Sequence, residues 1–257
     1  MLERIVAQKK LEVNRLKESL DLSQLERRVD RIDLREVFHG DRGRVAVIAE
    51  LKKASPLKGV LCADFDPMQM AQTYAENGAA VLSILSDREF FQGSPEYLQK
   101  IKPVVDLPIL RKDFIIDELQ LYETVVLGAD LVLLIAALHN YPALLELSQK
   151  CQELGIVPLL EVHNREELKK VMDLPVQLIG VNNRNLQDFT VDIRTSLDLA
   201  DAIPDSFIKV SESGIKTPAD MQMLAAQGFN AALIGEALVS SLDPGAKLKE
   251  LVHYEQS

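Results

Sequence analysis

Five apolar runs in this chain end in charged or amide side chains. Val45–Ala49 runs into Glu50 and Lys52, Pro108–Leu110 into Arg111-Lys112, Ile156–Leu160 into Glu161, Leu178–Val181 into Asn182, and Phe207–Val210 into Ser211-Glu212. Lysines and glutamates are the residue types of general acid–base chemistry, and a lysine placed like Lys112 could also form a Schiff base. Such side chains are almost never fully buried unless they are paired. Five endings of this kind point to one shared polar site at one end of a sheet. A set of solvated loop residues, or a structural ion-pair network, is the plainer alternative, but neither explains why every member falls at the same end.

The runs that carry these residues read as strands buried on both faces. Including three further runs, they begin near Val45, Ala80, Pro108, Asp130, Gly155, Gln177, Phe207 and Ala231, spaced 22 to 35 residues apart. Each interval holds one strand, one loop and one helix. Helix punctuation falls between them: Asp66-Pro67, Ser94-Pro95, Asp117, Asn140, Asn164, Asp192, Thr217-Pro218 and Asp243-Pro244 open helices, and Gly78, Gly128, Gly155 and Gly228 close them. A side-chain cap, proline in the first turn and glycine just past the end each have a physical reason. Eight such units predict a (β/α)8 TIM barrel, and 257 residues suit one barrel built as a single domain, 1–257. An open doubly wound sheet would need two edges, and no run here looks like an exposed polar edge strand.

Residues 1–40 precede the first strand. Ile5, Lys9, Val13, Leu16 and Leu20 recur at helical spacing, followed by shorter pieces around Leu22–Val29 and Leu34–Phe38. The reading is an N-terminal helical extension packed on the barrel.

In a closed barrel each layer of inward side chains comes from alternate strands. Glu50, Lys112, Glu161 and Glu212 end the first, third, fifth and seventh runs, and Lys52 shares the parity of Glu50 one step higher. Asn182 ends the sixth. Gly214, in Ser211-Glu-Ser-Gly-Ile215, and Gly235, in Leu233-Ile-Gly-Glu-Ala237, follow the seventh and eighth runs, where barrels recurrently bind phosphate through backbone N–H groups. The long first loop carries Lys52, Lys53 and Lys58, a basic patch in a chain of net charge −10, and reads as a lid over an anionic substrate.

That acidic balance argues against nucleic acid or an anionic membrane as partner. Hydrophobic content of 47% with 26% charged residues is that of a soluble globular protein. The N-terminus lacks a signal-like apolar core, no run reaches membrane-spanning length, and Cys62 and Cys151 have neither disulfide-framework nor redox spacing, so the expected compartment is the cytoplasm. His39, His139, His163 and His253 form no metal-like cluster, and His163 reads as a surface histidine at a helix entrance, although it follows Glu161 by two. Neither a Gly-x-Gly-x-x-Gly turn nor a Walker loop supports nucleotide binding.

Six segments, in order, resemble indole-3-glycerol-phosphate synthases: Ile48-Ala-Glu-Leu-Lys-Lys-Ala-Ser-Pro56, Leu110-Arg-Lys-Asp-Phe114, Leu159-Leu-Glu-Val-His163, Ile179-Gly-Val-Asn-Asn-Arg-Asn-Leu186, Val210-Ser-Glu-Ser-Gly-Ile215 and Leu233-Ile-Gly-Glu-Ala-Leu238. The resemblance covers nearly the whole chain, extension included. It implies a cofactor-free step of tryptophan biosynthesis in which 1-(2-carboxyphenylamino)-1-deoxyribulose 5-phosphate, a phosphosugar–anthranilate adduct, closes to indole-3-glycerol phosphate with loss of CO2 and water. Some members of that family are fused to a second barrel; this chain ends just after its eighth helix, so the expectation is a monofunctional chain, as monomer or weak homo-oligomer. Carried over residue by residue, it implies Lys112 as acid and Glu161 as base, with Lys52 aiding the acid steps or holding phosphate, a division left open. Glu50 would orient the lysines, Asn182 and Glu212 would hold the hydroxylated chain, and Ser55 and Arg184 the carboxylate end. Ser213, Gly214, Gly235 and Glu236 would wrap the phosphate, the last through its backbone N–H with its side chain turned away. Another phosphosugar isomerase or aldolase on the same barrel, or a non-catalytic phosphosugar-binding protein, remains as an alternative. Neither cysteine ends a strand, which counts against an isomerase that works through a Cys/Asp pair.

Overall fold

The computed structural model describes residues 2–21, 32–39, 44–186 and 188–254. Eight parallel strands close into a barrel: β1 (Ala46–Leu51), β2 (Val81–Leu85), β3 (Ile109–Lys112), β4 (Leu131–Ile135), β5 (Val157–Val162), β6 (Leu178–Asn182), β7 (Ile208–Glu212) and β8 (Ala231–Ile234). Each pairs with its sequence neighbours, and β1 closes the ring by pairing with β8 through Ala46↔Ala231 to Ala49↔Ile234. The (β/α)8 expectation therefore holds, with every strand beginning within two residues of its predicted start.

Period-two alternation divides the apolar residues into two cores. Ile48, Leu110, Leu133, Leu159, Val210 and Leu233 point inward and fill the barrel, joined by Leu34 and Phe38 from the helix Leu34–His39. Ala49, Leu51, Leu82, Leu134, Leu160 and Val181 point outward and pack under the helices. Asp66, Asp117, Asn140, Asn164, Thr217 and Asp243 cap their helices as their types require. Two openings differ. The helix Glu96–Ile101 starts without a side-chain cap, because the Ser94 hydroxyl is drawn to the Glu96 carboxylate. The helix Arg194–Ala200 has Ile193 at its cap position, and Asp192 receives the Arg194 N–H from one residue further back at 3.0 Å.

Two small elements add to the expected plan. The first loop folds into a hairpin pairing Ala54–Ser55 with Gly59–Val60, and a four-residue helix, Glu236–Val239, follows β8 before the helix Pro244–Val252. Of the expected extension, the piece around Leu22–Val29 lies outside the described residues. The helix Leu2–Ser19 and the piece at Leu34–Phe38 are present.

The N-terminal helix does more than cover apolar surface. Lys9, on its buried face between Ile5 and Val13, is 1% exposed. Its ammonium sits 2.9 Å from Asp87 Oδ2, 2.7 Å from Asp113 Oδ1 and 2.8 Å from Glu12 Oε2. Burial alone would push this ammonium's pKa down, but the carboxylates of Asp113 and Asp87 overcome that and hold it above the ordinary lysine value. Asp87 follows β2 and Asp113 follows β3, so one side chain ties the helix to two loops at the barrel mouth. Asp87 Oδ1 in turn accepts the Phe90 and Phe91 N–H groups at 2.6 and 3.1 Å, fixing the loop that carries Phe91. Removing one partner of a buried ion pair strands the others. Lys9→Ala should therefore cost about 3–5 kcal/mol, measured by urea unfolding. A loss below about 1 kcal/mol, the range of exposed pairs, would mean that the two carboxylates are not held by this lysine.

Candidate active site

The strand ends deliver their inward side chains to one cavity. Glu50, Lys52, Lys112, Glu161, Asn182 and Glu212 all line it, and so do Ser55, Arg184, Ser213, Gly214, Gly235 and Glu236. All twelve sequence-predicted site residues are thus brought together. Of the three lysines in the first loop, Lys52 and Lys58 line the cavity and Lys53 does not.

At the centre lies Lys112, the last residue of β3. Its Nζ is 3.2 Å from Glu161 Oε2 and in closer contact with Glu212 Oε2. Lys52 Nζ pairs with Glu50 Oε2 at 2.5 Å and stands 5.9 Å above the Phe91 ring, within cation–π range. Two glycines make room for the carboxylates. A Cβ on Gly180 would lie 2.2 Å from Glu212 Oε1, and one on Gly235 would lie 2.3 Å from Glu50 Oε2. Gly235 was expected for close approach of backbone to phosphate; in the structure its bare Cα also leaves space for Glu50.

Three buried charges within one contact distance cannot behave as isolated groups. Burial pushes the Lys112 ammonium down, but the neighbouring Glu212, Glu161 and Glu50 outweigh this and raise its pKa. Burial pushes Glu161 up, yet Lys112, His163 and Asn182 together hold it well below the usual carboxylate range. Glu212 goes the other way, to about 7: burial raises it, Lys112 opposes, and the Glu161 charge raises it further. Its Oε1 is buried without a hydrogen-bond partner. The pair Glu161 and Glu212 therefore divides into a carboxylate that stays ionised and one that takes up a proton near neutrality.

Around this centre the loops are held from behind. Arg111 points outward from β3. It donates to Ser86 Oγ, the Gln120 carbonyl, Thr124 Oγ1, Asp113 and Glu123. Asn183, outward from the end of β6, donates to Ser211 Oγ at 3.0 Å and the Ser213 carbonyl at 2.9 Å, and accepts from Ser196 N. This fixes the turn in which Ser213 and Gly214 take φ of +69° and +82°. Glu236 is engaged by Lys58 Nζ at 2.5 Å, with Arg184 at 4.0 Å, so its side chain bridges the hairpin loop and the loop after β6.

Three features escaped the sequence reading. His163 is a correction: its side chain is only 8% exposed, with Nε2 3.2 Å from Glu161 Oε1 and Nδ1 3.1 Å from Glu167 Oε2. Its two-residue offset from Glu161 was the available signal. Phe91, Phe114, Leu133 and Ile135 give the cavity an apolar wall suited to a flat ring. Arg111 and Asn183 could have been found by parity, since each neighbours an inward residue on its strand. Among the described residues no group of three or more His, Cys, Asp or Glu is arranged to hold a metal ion. Cys151 is buried with its thiol pKa pushed up by burial, and neither it nor Cys62 lines the cavity.

A closed parallel barrel with a lysine between two glutamates at the C-terminal mouth of its strands places this chain among (β/α)8 barrels whose mouth carries groups of the acid–base type. Comparison with known proteins narrows this. The chain belongs to the indole-3-glycerol phosphate synthase family, whose model it matches over residues 2–251. It is 47% identical over 244 residues to an indole-3-glycerol phosphate synthase of Chlorobium luteolum, covering 93% of both chains. It is 43% identical to one of Burkholderia vietnamiensis, covering 98% of both. Among solved structures, 3-hexulose-6-phosphate synthase is similar in fold, with a TM-score of 0.63 at 15% identity over 80% of this chain and 98% of that one. KGPDC from Streptococcus mutans is similar at 0.62 and 10% identity over 81% and 95%.

The raised Glu212 sets a pH dependence of stability. Its folded pKa of about 7 lies above the ordinary carboxylate value of 4.5, so the folded state binds the extra proton between those limits. Stability from this group is fully present below the lower value and is lost as pH rises through the upper one. The wild type should gain thermal stability relative to Glu212→Gln as pH falls from 8 to 5. Parallel melting-temperature profiles for the two proteins would show that Glu212 ionises normally.

Proposed function

We propose that this chain closes 1-(2-carboxyphenylamino)-1-deoxyribulose 5-phosphate to indole-3-glycerol phosphate, releasing CO2 and water, with Lys112 as the general acid and Glu161 as the general base. Membership of the synthase family supports the reaction. The observation that carries the residue roles is the facing pair itself: an ammonium and an ionised carboxylate 3.2 Å apart, beside an apolar wall.

The chemistry needs both. As the ring carbon bearing the carboxylate attacks the ketone carbon, the ketone oxygen must gain a proton, and Lys112 supplies it. Loss of CO2 returns its bonding electrons to the ring system. The new hydroxyl then leaves as water with a second proton from the acid side, while Glu161 removes the proton whose loss completes the aromatic indole. While two carboxylates hold Lys112, its proton is held tightly. Substrate entering between Lys112 and Glu161 separates them, which loosens that proton and frees the base.

The remaining roles follow from charge. Glu50 orients Lys52 and faces positive charge developing on the substrate nitrogen. Asn182 and Glu212 hold the hydroxylated chain, Glu212 being able to donate or accept as its proton comes and goes. Ser55 and Arg184 meet the carboxylate end. The backbone of Ser213, Gly214, Gly235 and Glu236 wraps the phosphate, with Lys52 as the neutralising charge. One barrel supplies every group, so a monomer or weak homo-oligomer suffices. We assign the reaction to the cytoplasm, where unpaired thiols stay reduced; among the described residues no helix is long and apolar enough to cross a membrane.

The chain contains no tryptophan, so indole fluorescence reports turnover over a low background. Lys112→Ala should lower kcat by a factor of about 10²–10⁴ in a protein with an unchanged circular dichroism spectrum. Wild-type turnover in that variant would remove Lys112 from the mechanism. Glu161→Gln keeps shape but cannot accept a proton, so kcat should fall steeply with KM little changed, the pattern of an interaction made in the transition state. If only KM changes, Glu161 positions substrate and the base is another carboxylate.

A further inference from the structure

We propose that His163 is a positioning residue for the base: wedged between Glu161 and Glu167, its ring fixes one oxygen of the Glu161 carboxylate, keeps the group ionised and leaves the other oxygen to do the chemistry. The inference rests on Glu161 being the base. The two oxygens of that carboxylate are divided between partners. Oε2 faces Lys112 at 3.2 Å, and Oε1 faces His163 Nε2, also at 3.2 Å. The second contact is an ion pair in which the ring N–H is not aimed straight at the oxygen. When substrate takes the place of Lys112 beside Oε2, Oε1 remains held.

The ring is itself anchored. Its Nδ1 lies 3.1 Å from Glu167 Oε2, which also accepts the His163 backbone N–H at 2.9 Å, while Asn164 Nδ2 holds Glu167 Oε1 at 3.0 Å. Asn164 caps the helix Arg165–Val171 through the Glu167 N–H. The local sequence Glu-Val-His-Asn-Arg-Glu-Glu thus places the base, the imidazole and its anchor across one strand end and one helix start. His163 does not line the cavity, so it acts through Glu161 and not on substrate.

The charged groups that face the ring are Glu161 from β5 and Glu167 from the helix; Lys112 on β3 and Glu212 on β7 meet Glu161 on its other side. Burial would lower the imidazole pKa, but the two carboxylates raise it to about 10, so at neutral pH a cation stands behind the base. An adjacent positive charge favours the ionised carboxylate. Removing it lets Glu161 protonate at higher pH, which is where activity would begin to fail on the acid side.

The test is kcat against pH, which reports the substrate complex in which Lys112 has left Glu161, for wild type, His163→Gln and His163→Leu. Glutamine keeps a donor without the charge, and leucine keeps neither. In H163Q the acidic limb should move up by about one pH unit, with a loss of about tenfold at the foot of that limb that recovers on the alkaline side at nearly unchanged KM. H163L should show the same shift and stay low at alkaline pH. Should either variant fold poorly, nitrogen-15 NMR of histidine-labelled protein gives an independent reading. The His163 ring should remain doubly protonated at pH 8 in the wild type and titrate at least one unit lower in Glu161→Gln, since the coupling is reciprocal. Superimposable pH profiles, or a ring that is neutral at pH 7 in the wild type, would overturn the proposal. Turnover surviving in Glu161→Gln would sink the base assignment beneath it; an inactive Glu161→Gln with an unshifted H163Q profile would sink this inference alone.

Discussion

A charge carried inside a closed barrel must find a partner there. Period-two alternation sends Glu50, Lys112, Glu161 and Glu212 into the interior, where a charge left unpaired is costly. The site is the solution to that problem: Lys112 sits between two glutamates, and Lys52 covers the third. The compromise is incomplete, because two lysines cannot neutralise three inward carboxylates. The surplus appears as the raised pKa of Glu212. The same pairing that lets the strands close therefore leaves a proton that is neither firmly bound nor firmly lost.

The end of β3 shows how inner and outer layers are coupled. Arg111 and Asp113 point outward and Lys112 inward, on consecutive residues. The outward pair belongs to a second charged network with Ser86, Glu123 and Lys9. That network is anchored in the helix layer and the N-terminal helix, so the backbone that aims Lys112 is clamped from outside the barrel. Asn183 does the same for the loop after β7. Groups set behind the strand ends, Arg111 and Asn183 among them, thus set the angles of the side chains that face the cavity.

Most of this was legible from the chain because the barrel reduces position to parity and order. Once the apolar runs were counted, the strand ends and the inward layer followed, and six of the eight helix openings were capped by the residue expected. What escaped depended on distance across the fold. Nothing local to Lys9 says that an amphipathic helix will bury a lysine, since its partners Asp87 and Asp113 lie far along the chain. In the sequence His163 reads as a surface residue because a histidine beside a helix start is ordinarily solvated; Glu161 on one side and Glu167, returning from the next turn, on the other enclose it. Gly180 gave no signal, since its reason is the Glu212 side chain on the neighbouring strand.

The ion pairs of Lys9 also impose an order on folding. Chains emerge from the ribosome N-terminus first, so the helix Leu2–Ser19 exists before either of its partner carboxylates has been made. It can dock only after the loops following β2 and β3 are in place. β1 has a parallel delay: it gains its last neighbour, β8, only when residues 231–234 have been synthesised. These elements are made before their partners and are thus among the last to reach their final contacts, and during that interval the apolar face around Ile5 and Val13 has to be kept from other company.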